Sequence, residues 1–317
     1  MRFVVTGAAG FIGRHVCTAL LDGRHDVVGV DAFTDYYDPA VKRANARALA
    51  GRPGYRGEEL DLVTAPLDEL LTGADAVIHL AGQPGVRLSW EDGFACYVER
   101  NVTASQRLLE AARRTGVPRV VLASSSSVYG NAATYPTDEE SPTRPFSPYG
   151  VTKLAMEHLA RAYVDNWGLP VVMLRYFTVY GPAQRPDMGL HRFIERVAAG
   201  EPVPVYGDGE QVRDFTYVGD AARATIAAAT ADVPPGTVLN VAGGSSTTVN
   251  RVLEMVGECV GRAPILRHLP EQPGDVRATG GAIERARRYL GWEPEVPLAE
   301  GIKRQVAHQL GRPDGGP

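Results

Sequence analysis

The chain opens with an apolar run and a glycine-rich turn, VVTGAAGFIG, at residues 4–13. Gly7, Gly10 and Gly13 stand between this first run and a helical pattern over 11–23. Such a turn lets the backbone approach a pyrophosphate closely and offers that anion the N–H groups of a helix N-terminus. The stretch therefore predicts the start of a dinucleotide-binding βαβ unit; the alternative is a glycine-rich turn without a ligand.

Short apolar runs recur downstream and alternate with helical patterns. Runs that are continuously apolar are typical of strands in a parallel sheet covered on both faces. The predicted fold class is therefore α/β, a Rossmann-like doubly wound parallel sheet with a smaller α/β substrate-binding region. The predicted strands are 2–6, 26–31, 75–81, 118–124, 170–175 and 237–242. The predicted helices include 11–23, 99–115, 149–167 and 189–199.

The alternation weakens after residue 176, where Pro and Gly become frequent. GPAQRPDMG at 181–189 and EPVPVYGDGE at 201–210 are predicted to be ordered loops of the second region. We expect a dinucleotide-binding domain over 1–176 plus about 218–242, a second, substrate-binding domain over 177–217 plus about 243–310, and a tail over 311–317.

Composition excludes several classes of protein. The 317 residues carry a net charge of −4, which gives no basic surface for nucleic acid or for an anionic membrane. No apolar stretch is long enough to span a bilayer, and the first residues do not resemble a signal peptide. Cys17, Cys96 and Cys259 are widely spaced, without a metal-binding pattern, as expected in a reducing compartment. We therefore expect a cytoplasmic protein without a metal site.

An acidic residue follows the glycine turn at the end of the second predicted strand. Asp31 is placed to accept hydrogen bonds from the adenosine ribose hydroxyls, and its charge would repel a 2′-phosphate. No arginine adjoins it in the sequence, so NAD is favoured over NADP. Asp61 and Leu62 follow the next segment and could contact the adenine, although a plain turn is equally compatible with them.

A tyrosine and a lysine four residues apart, Tyr149 and Lys153, share one face of a predicted helix. Alone this spacing is weak, because a buried Tyr and an extended Lys are common on helices. Four serines, 124–127, also follow the buried run before them, where an unpaired hydroxyl would be costly. The lysine charge and a nicotinamide ring would favour the phenolate, so Tyr149 could act as a base while a serine holds the substrate oxygen.

The ordered motifs TGAAGFIG, HLAGQ, SSSSVYG, YGVTK, YFTVYGP, RDFTYVGD and PGDV resemble those of extended short-chain dehydrogenases/reductases that modify nucleotide sugars. The resemblance covers nearly the whole chain. It implies that Ser125 is catalytic with Tyr149 and Lys153, that the substrate lies in a cleft between two domains, and that the protein forms a homodimer through helices 99–115 and 149–167. It also implies that the second domain binds the nucleotide sugar. The further cofactor contacts expected are Phe11, Ile12, Leu80, Ala81, Gln83, Asn101, Ser124, Tyr149, Lys153 and Tyr176.

Three features narrow the choice of sugar. Ser126 and Ser127 stand where sugar dehydratases carry an Asp–Glu pair, so dehydration lacks its acid and base. Thr178 stands where many relatives have Asn. Arg185 lies on the loop that follows and could hold a carboxylate, although it could also be a solvated cation. The stretches 31–47 and 177–188 resemble UDP-glucuronate 4-epimerases.

The resemblance also implies contacts to the nucleotide. Arg213 resembles the diphosphate-binding Arg of the family, and Tyr206 lies in a segment that lines the uracil pocket in relatives. Asp275 and Arg277 lie near positions that touch the ribose and phosphate, although Arg277 could equally form a surface salt bridge. The loop after HLAG brings Gln83 and Arg87 near the substrate. It departs from relatives by Gly82 and Pro84, where Ala is frequent.

These residues predict reversible C4 epimerisation of UDP-glucuronate to UDP-galacturonate through transient oxidation and a 4-keto sugar. The alternatives among enzymes are a UDP-glucose/UDP-galactose 4-epimerase and a dTDP-glucose 4,6-dehydratase. Outside enzymes, the alternative is a regulator that binds NAD and a nucleotide sugar without turnover, against which the intact Ser125, Tyr149 and Lys153 argue.

Overall fold

The computed structural model describes residues 1–312. Its strands are β1 (Arg2–Thr6), β2 (Asp26–Asp31), β3 (Tyr55–Glu59), β4 (Ala76–His79), β5 (Val120–Ser125), β6 (Val171–Tyr176), β7 (Thr178–Tyr180), β8 (Val203–Tyr206), β9 (Val212–Tyr217), β10 (Thr237–Val241), β11 (Ser246–Thr248) and β12 (Leu266–Leu269). Its helices are α1 (Phe11–Asp22), α2 (Pro39–Leu49), α3 (Leu67–Leu71), α4 (Phe94–Tyr97), α5 (Ala104–Thr115), α6 (Pro148–Trp167), α7 (Gly189–Ala199), α8 (Val218–Thr230), α9 (Val249–Val260), α10 (Glu284–Leu290) and α11 (Leu298–Gln309).

Seven strands form one parallel sheet in the order β10-β6-β5-β4-β1-β2-β3. The order reverses between β1 and β4, and in such sheets ligands bind in the crevice beyond the strand ends at that reversal. One apolar core lies on each face, as expected for strands without apolar alternation. The predicted fold class is confirmed.

The second region has two small sheets, β11-β9-β7 and β12-β8. Its own apolar core joins α7, α9 and α11, with Ile194, Val256 and Ile302 fully buried. The members of this core all fall in segments assigned to the second domain, whose boundaries stay a prediction. The stretch around α10 behaves differently, because Ala286 and Trp292 pack into a core of the large sheet.

The six predicted strands are confirmed to within two residues at each end. The stretch 201–210 is not a loop throughout: β8 lies within it and pairs with β12, which is distant in the sequence, and its two prolines concealed the strand. The helix predicted from 99 begins at Phe94 and passes through one π-helical turn, Val98–Thr103. Of the predicted tail, 313–317 lie outside the described residues. No helix within residues 1–312 is both long and apolar enough to cross a membrane.

A directional chain of hydrogen bonds ties the sheet to this π-helical turn. Ser105 Oγ donates to the Asn101 carbonyl (2.6 Å), so it accepts from His79 Nε2 (3.1 Å). His79 Nδ1 then accepts from Thr6 Oγ1 (2.8 Å), which in turn accepts from the Ala81 N–H (3.2 Å). His79 is fully buried. These hydrogen bonds require a neutral imidazole with its proton on Nε2, because Ser105 Oγ accepts from one ring nitrogen and Thr6 Oγ1 donates to the other.

We expect His79 to give the free energy of unfolding a dependence on pH. Burial lowers the pKa of His79 from 6.5 to about 3, and the Lys153 charge acts in the same direction. As the pH falls, the unfolded chain takes up this proton first, so the stability is lost between about pH 6.5 and about pH 3, at about 1.4 kcal/mol per unit. In urea unfolding, His79→Asn should lose less stability than the unmodified protein between about pH 7.5 and about pH 5.5.

The matched control is His158→Asn, the same change at an exposed histidine of α6. It should retain the pH dependence of the unmodified protein. Equal slopes in all three proteins would show that His79 is not the group that couples proton uptake to unfolding.

Candidate active site

The glycine turn forms a cradle at the reversal of the strand order. Gly7 has φ of +70°, a conformation that favours glycine, and a Cβ on it would lie 2.8 Å from the Ala81 nitrogen. A Cβ on Gly13 would collide with the Gly7 carbonyl. Helix α1 follows without a side-chain cap, so its first N–H groups are free to bind an anion. This cradle fits a dinucleotide pyrophosphate.

Beside the cradle, Asp31 is positioned by two backbone amides. Its Oδ2 accepts from the Ala9 N–H (3.2 Å) and its Oδ1 from the Phe33 N–H (2.9 Å). Lys42 Nζ, from α2, lies 3.6 Å from Asp31 Oδ1. No arginine adjoins Asp31 in the sequence, and Lys42 is eleven residues away, so that only the folding of α2 over the cavity brings this cation to Asp31.

The cavity around the cradle brings most of the predicted cofactor contacts together. It is lined by Gly7, Gly10, Phe11, Ile12, Gly13, Asp31, Asp61, Leu62, Leu80, Ala81 and Gln83. Its wall also contains side chains that sequence reasoning did not single out: Tyr36, Tyr37, Lys42 and Arg100. All four reach the cavity because of how their helix or loop is oriented in the fold, and residue spacing alone does not reveal that orientation.

Five predicted cofactor contacts do not line this cavity, and two of them, Tyr149 and Lys153, line a larger neighbouring cavity described below. Asn101 is fully buried and lines neither cavity; its side chain accepts from the Gln83 N–H (2.6 Å) and donates to the Gln83 carbonyl (3.0 Å). It therefore positions the cofactor loop. The side chain of Ser124 donates to Glu157, and Tyr176 Oη is hydrogen-bonded to Thr225 Oγ1 (2.6 Å). Ser124 and Tyr176 line the neighbouring, larger cavity instead.

The predicted catalytic residues meet in that larger cavity. Ser125 ends β5, and its Oγ accepts from the Ser127 N–H (3.1 Å). Tyr149 and Lys153 lie on the first turns of α6, whose N-cap, Ser147, accepts from the Gly150 N–H (3.1 Å). A serine at the end of a strand and a Tyr–Lys pair on the next helix thus converge on one wall.

Charge and burial set the titration of this group. Burial raises the pKa of Tyr149, while its hydrogen bond with Ser125 and the charge of Arg185 act in the opposite direction. Burial lowers the pKa of Lys153 to about 8, against the opposing charge of Glu157. Lys153 Nζ donates to the Ala123 carbonyl (2.8 Å), which leaves two of its three donors for ligands.

A buried ion pair fixes α6 against the sheet. Glu157, one turn beyond Lys153, accepts from Arg175 Nε (3.0 Å) and Nη2 (2.7 Å). Arg175 lies on β6 opposite Ser124 and also donates to Tyr129 Oη (2.9 Å). Because both charges are paired and hydrogen-bonded, this burial is tolerated. The pair holds the catalytic helix next to the serines.

The larger cavity has a volume of about 830 Å³ and extends from the catalytic residues toward the second region. It brings together all but one of the predicted substrate contacts: Arg87, Ser125, Ser126, Ser127, Tyr149, Thr178, Arg185, Tyr206, Arg213 and Asp275. Arg277 is the exception. Its guanidinium makes a bidentate ion pair with Asp208 (2.8 and 2.9 Å) on the surface, and its contact with the nucleotide stays a prediction.

Arg185 borders both cavities. Its Nε and Nη2 donate to the carboxylate of Asp187, both at 2.9 Å. A guanidinium has five donors, so the edge formed by Nη1 and the second Nη2 hydrogen can still bind a second carboxylate. The side chain is 18% exposed. The structure therefore places it as a partly buried cation at the site rather than as a solvated one.

The opposite end of the larger cavity is suited to a nucleotide. Within residues 1–312 no carboxylate forms an ion pair with Arg213; burial lowers its pKa, and the charge of Asp275 opposes this shift. Arg87 lies 4.0 Å over the Tyr206 ring and donates to Asp275 (3.1 Å). Gln211 was missed by the sequence analysis: its Oε1 is buried without a hydrogen-bond partner on the cavity wall. These groups can bind a diphosphate and a base.

Carboxylates are scarce among the described residues that line this cavity. They are Asp187 and Asp275, and each is paired with an arginine. Ser126 and Ser127 form a short 3₁₀ turn beside Tyr149 and offer hydroxyl groups. A dehydration needs a positioned acid and base, which this wall does not supply.

Comparisons with known proteins agree with this geometry. Residues 3–242 match the model of the NAD dependent epimerase/dehydratase family. A UDP-glucuronate 4-epimerase of Thermodesulfobacterium geofontis is 38% identical over 96% of this chain and 94% of its own. The uncharacterized UDP-glucose epimerase YtcB of Bacillus subtilis is 39% identical over 97% and 98%, respectively.

Among solved structures, the UDP-glucuronic acid 4-epimerase of Bacillus cereus in complex with UDP-glucuronic acid and NAD is similar throughout. It has a TM-score of 0.95 and 38% identity, covering 98% of this chain and 99% of that one. These relatives confirm the sequence-based expectation of an NAD-dependent enzyme that acts on nucleotide sugars. The family model matches most of the chain and the relatives match nearly all of it, so this chain belongs to the NAD-dependent epimerase/dehydratase family.

Proposed function

We propose that this protein interconverts UDP-glucuronate and UDP-galacturonate by inversion at C4. The observation that carries the proposal is the position of Arg185, whose free guanidinium edge borders the cavity that holds Ser125, Tyr149 and Lys153. A carboxylate is the substituent that distinguishes this sugar from its neutral counterparts, and it is the group for which that edge is suited. The names of the relatives from Thermodesulfobacterium geofontis and Bacillus cereus support the same substrate.

In this mechanism Ser125 holds the C4 hydroxyl and Tyr149 removes its proton. When bound, NAD supplies the chemistry of accepting a hydride from C4 and returning it. Lys153 favours the phenolate through its charge, and the glycine cradle with Asp31 and Gln83 orients the dinucleotide. The 4-keto sugar then rotates in the cavity so that its other face is presented for return of the hydride, and Tyr149 returns the proton. Because the hydride comes back to C4, the reaction has no net redox change.

The 4-keto uronate is a β-keto acid, which readily loses carbon dioxide when its carboxylate bond aligns with the ketone π system. The site must therefore hold the carboxylate out of alignment. Ser127, Thr178 and Arg185 all line this cavity and are our candidates for this role. At the other end Arg213 would bind the diphosphate, while Tyr206, Asp275 and Arg87 would bind the uridine.

The residues of the same cavity wall also bear on the three alternative functions. A UDP-glucose/UDP-galactose 4-epimerase uses the same hydride chemistry, and the name of the Bacillus subtilis relative favours it, but it gives Arg185 no anionic partner on the sugar. A dTDP-glucose 4,6-dehydratase is disfavoured because serines replace the acid and base. A nucleotide-sugar sensor without turnover is disfavoured by the assembled Ser125, Tyr149 and Lys153. Incubation with UDP-glucuronate followed by anion-exchange chromatography separates these cases.

The hydride mechanism predicts the fate of an isotope at C4. With C4-deuterated UDP-glucuronate, the label should remain at C4 of the product without exchange into water. Tyr149→Phe should lower kcat by at least about a hundredfold, the usual scale for loss of a general base. The control is Tyr163→Phe on the same helix, whose hydroxyl instead bonds Glu110 and Gln106. Label in the solvent, or near-normal turnover of Tyr149→Phe, would exclude the mechanism.

Arg185→Ala should weaken UDP-glucuronate far more than UDP-glucose. A charge-assisted hydrogen-bond pair contributes about 1.5–3 kcal/mol, or about one to two decades in affinity. The freed carboxylate could then rotate at the keto stage, so the ratio of decarboxylated to epimerised product should rise while total turnover falls. Mass spectrometry and NMR of the products measure both effects.

Arg185→Lys is the matched variant, because it keeps the positive charge and loses the planar pair of N–H donors that binds both oxygens of a carboxylate. It should give intermediate affinity and intermediate product ratios. Equal losses of affinity for both sugars would instead assign Arg185 to the diphosphate or to the loop, and full activity of the Ala variant would remove the residue from the site.

We also infer a cytoplasmic homodimer, formed through the helical segments 99–115 and 149–167. Exposed apolar side chains on these segments and just before them support the inference: Val98 and Val151 are 36% and 49% exposed, and Phe94 is 39% exposed. Apolar groups on one face of neighbouring helices are typical of a surface that another subunit covers. The three cysteines are free thiols, as expected for a reducing compartment.

Val151→Glu should convert a dimer into monomers, because it places a charge in the expected apolar interface. Light scattering coupled to size-exclusion chromatography measures the change. The control is Ile265→Glu, the same kind of change at an apolar residue of the second region that is 54% exposed. A monomeric unmodified protein, or a dimer that both variants retain, would contradict this interface.

A further inference from the structure

We propose that Asp187 sets the sugar specificity of this site and gives the enzyme a second activity, the C4 epimerisation of neutral UDP-hexoses such as UDP-glucose. Asp187 pairs with Arg185 when the sugar has no carboxylate, so that a neutral sugar binds without leaving an unpaired cation. The inference rests on the proposed function, because it takes Arg185 as the group that binds the carboxylate of UDP-glucuronate.

The ion pair between Arg185 and Asp187 is formed within one turn of the chain. The Met188 N–H donates to the Arg185 carbonyl (3.2 Å), and Pro186 occupies the position of this turn that favours its fixed φ. The turn places Asp187 Oδ1 at 2.9 Å from Arg185 Nε and Oδ2 at 2.9 Å from Nη2. Because the two residues share a turn, their pairing does not depend on a contact with the sugar.

The loop that carries this turn is anchored independently of the ion pair. Gln184, the residue before Arg185, is 4% exposed. Its Oε1 accepts from the His191 N–H (2.9 Å) and from Gln305 Nε2 (2.7 Å), which ties the loop to α7 and α11. Removal of the Asp187 charge should therefore leave the backbone of Arg185 in place.

The burial of Arg185 makes a partner necessary. Its side chain is 18% exposed, and a sugar bound beside it would displace much of the remaining water. Although burial acts to lower the pKa of Arg185, the hydrogen bond and the charge of Asp187 raise it. A site whose buried polar group loses its partner in one substrate rejects that substrate by about 10⁴- to 10⁵-fold. Because Asp187 stays paired with Arg185, a neutral sugar does not incur this penalty.

Asp187 also limits the advantage of the acidic sugar. Its carboxylate lies 2.9 Å from the guanidinium that the carboxylate of the sugar would contact, so the two carboxylates repel each other while they share one cation. The preference for UDP-glucuronate is then limited to the scale of one charge-assisted contact, about tenfold to a hundredfold.

The catalytic groups act at C4 and make no demand on the substituent at C6. Ser125 holds the C4 hydroxyl, and Tyr149 takes its proton and returns it. When bound, NAD supplies the acceptance and return of the C4 hydride, so a neutral sugar needs no further oxidant or reductant. UDP-glucose that binds in this cavity is thus converted to UDP-galactose.

The first experiment compares the kcat/KM of the unmodified protein, loaded with NAD, for UDP-glucuronate and for UDP-glucose, with the products identified by NMR. UDP-glucose should yield UDP-galactose, and its kcat/KM should be about tenfold to a hundredfold lower than that of UDP-glucuronate. A larger difference would overturn the inference and leave the proposed function intact.

Asp187→Asn removes the charge and keeps the shape and one acceptor oxygen for Arg185. The ratio of kcat/KM for UDP-glucuronate to that for UDP-glucose should rise by at least about tenfold, because the neutral sugar then leaves Arg185 without a carboxylate. A residue that only held Arg185 in place would give the opposite sign, since its loss would weaken the contact with the sugar carboxylate. A ratio that falls or stays unchanged would thus overturn the inference.

The matched control is Asp275→Asn, the same change at the second described carboxylate of the cavity wall, which pairs with Arg87 (3.1 Å). It should alter the use of both sugars and leave the ratio unchanged. Dissociation constants measured in the Tyr149→Phe background need no turnover, and the preference for UDP-glucuronate should rise there too when Asp187→Asn is added. Absence of UDP-glucuronate turnover in the unmodified protein would remove the proposed function, whereas this binding ratio would still decide the role of Asp187.

Discussion

The arrangement of the active site depends on one buried ion pair, between Glu157 on α6 and Arg175 on β6. Helix α6 carries Tyr149 and Lys153, whereas Ser125 lies on β5, and only the packing of helix on sheet sets the separation of these groups. The bidentate contact fixes both the rotation and the height of α6 against the strand ends. Loss of either partner would leave a buried charge, which typically costs about 3–5 kcal/mol. The contact therefore tolerates little adjustment.

The same ion pair links the catalytic wall to the far edge of the sheet. Arg175 contacts Tyr129 Oη, which donates to Asn240 on β10 (2.7 Å). The Asn240 backbone N–H in turn donates to Glu139 Oε1 (2.8 Å). Polar groups that are buried at the ends of three neighbouring strands are thus satisfied within one network. These hydrogen bonds restrict movement of the wall behind the cavity.

The sequence was sufficient for the features that follow from local spacing. The glycine turn, Asp31 and the Tyr149–Lys153 pair could be assigned because a strand, turn or helix fixes where such residues point. Lys42 could not, because its approach to Asp31 depends on the path of the chain between β2 and α2. Arg277 has Asp275 nearby in the sequence but Asp208 as its partner in space, a contact that spacing does not reveal. Asn101 holds the Gln83 loop, a role that only tertiary contacts reveal.

The π-helical turn at Val98–Thr103 separates parts of one helical segment that differ in how they tolerate a change of length. A π-helical turn accommodates one more residue than an α-helical turn. Deletion of a single residue there would therefore restore a regular α-helical turn and leave the segments on either side in nearly the same relative orientation. The same deletion within α5 would rotate everything before it by about 100°, and Asn101 would leave the Gln83 loop. Deletions are thus restricted in α5 even at solvent-facing positions, where ordinary substitutions would be harmless.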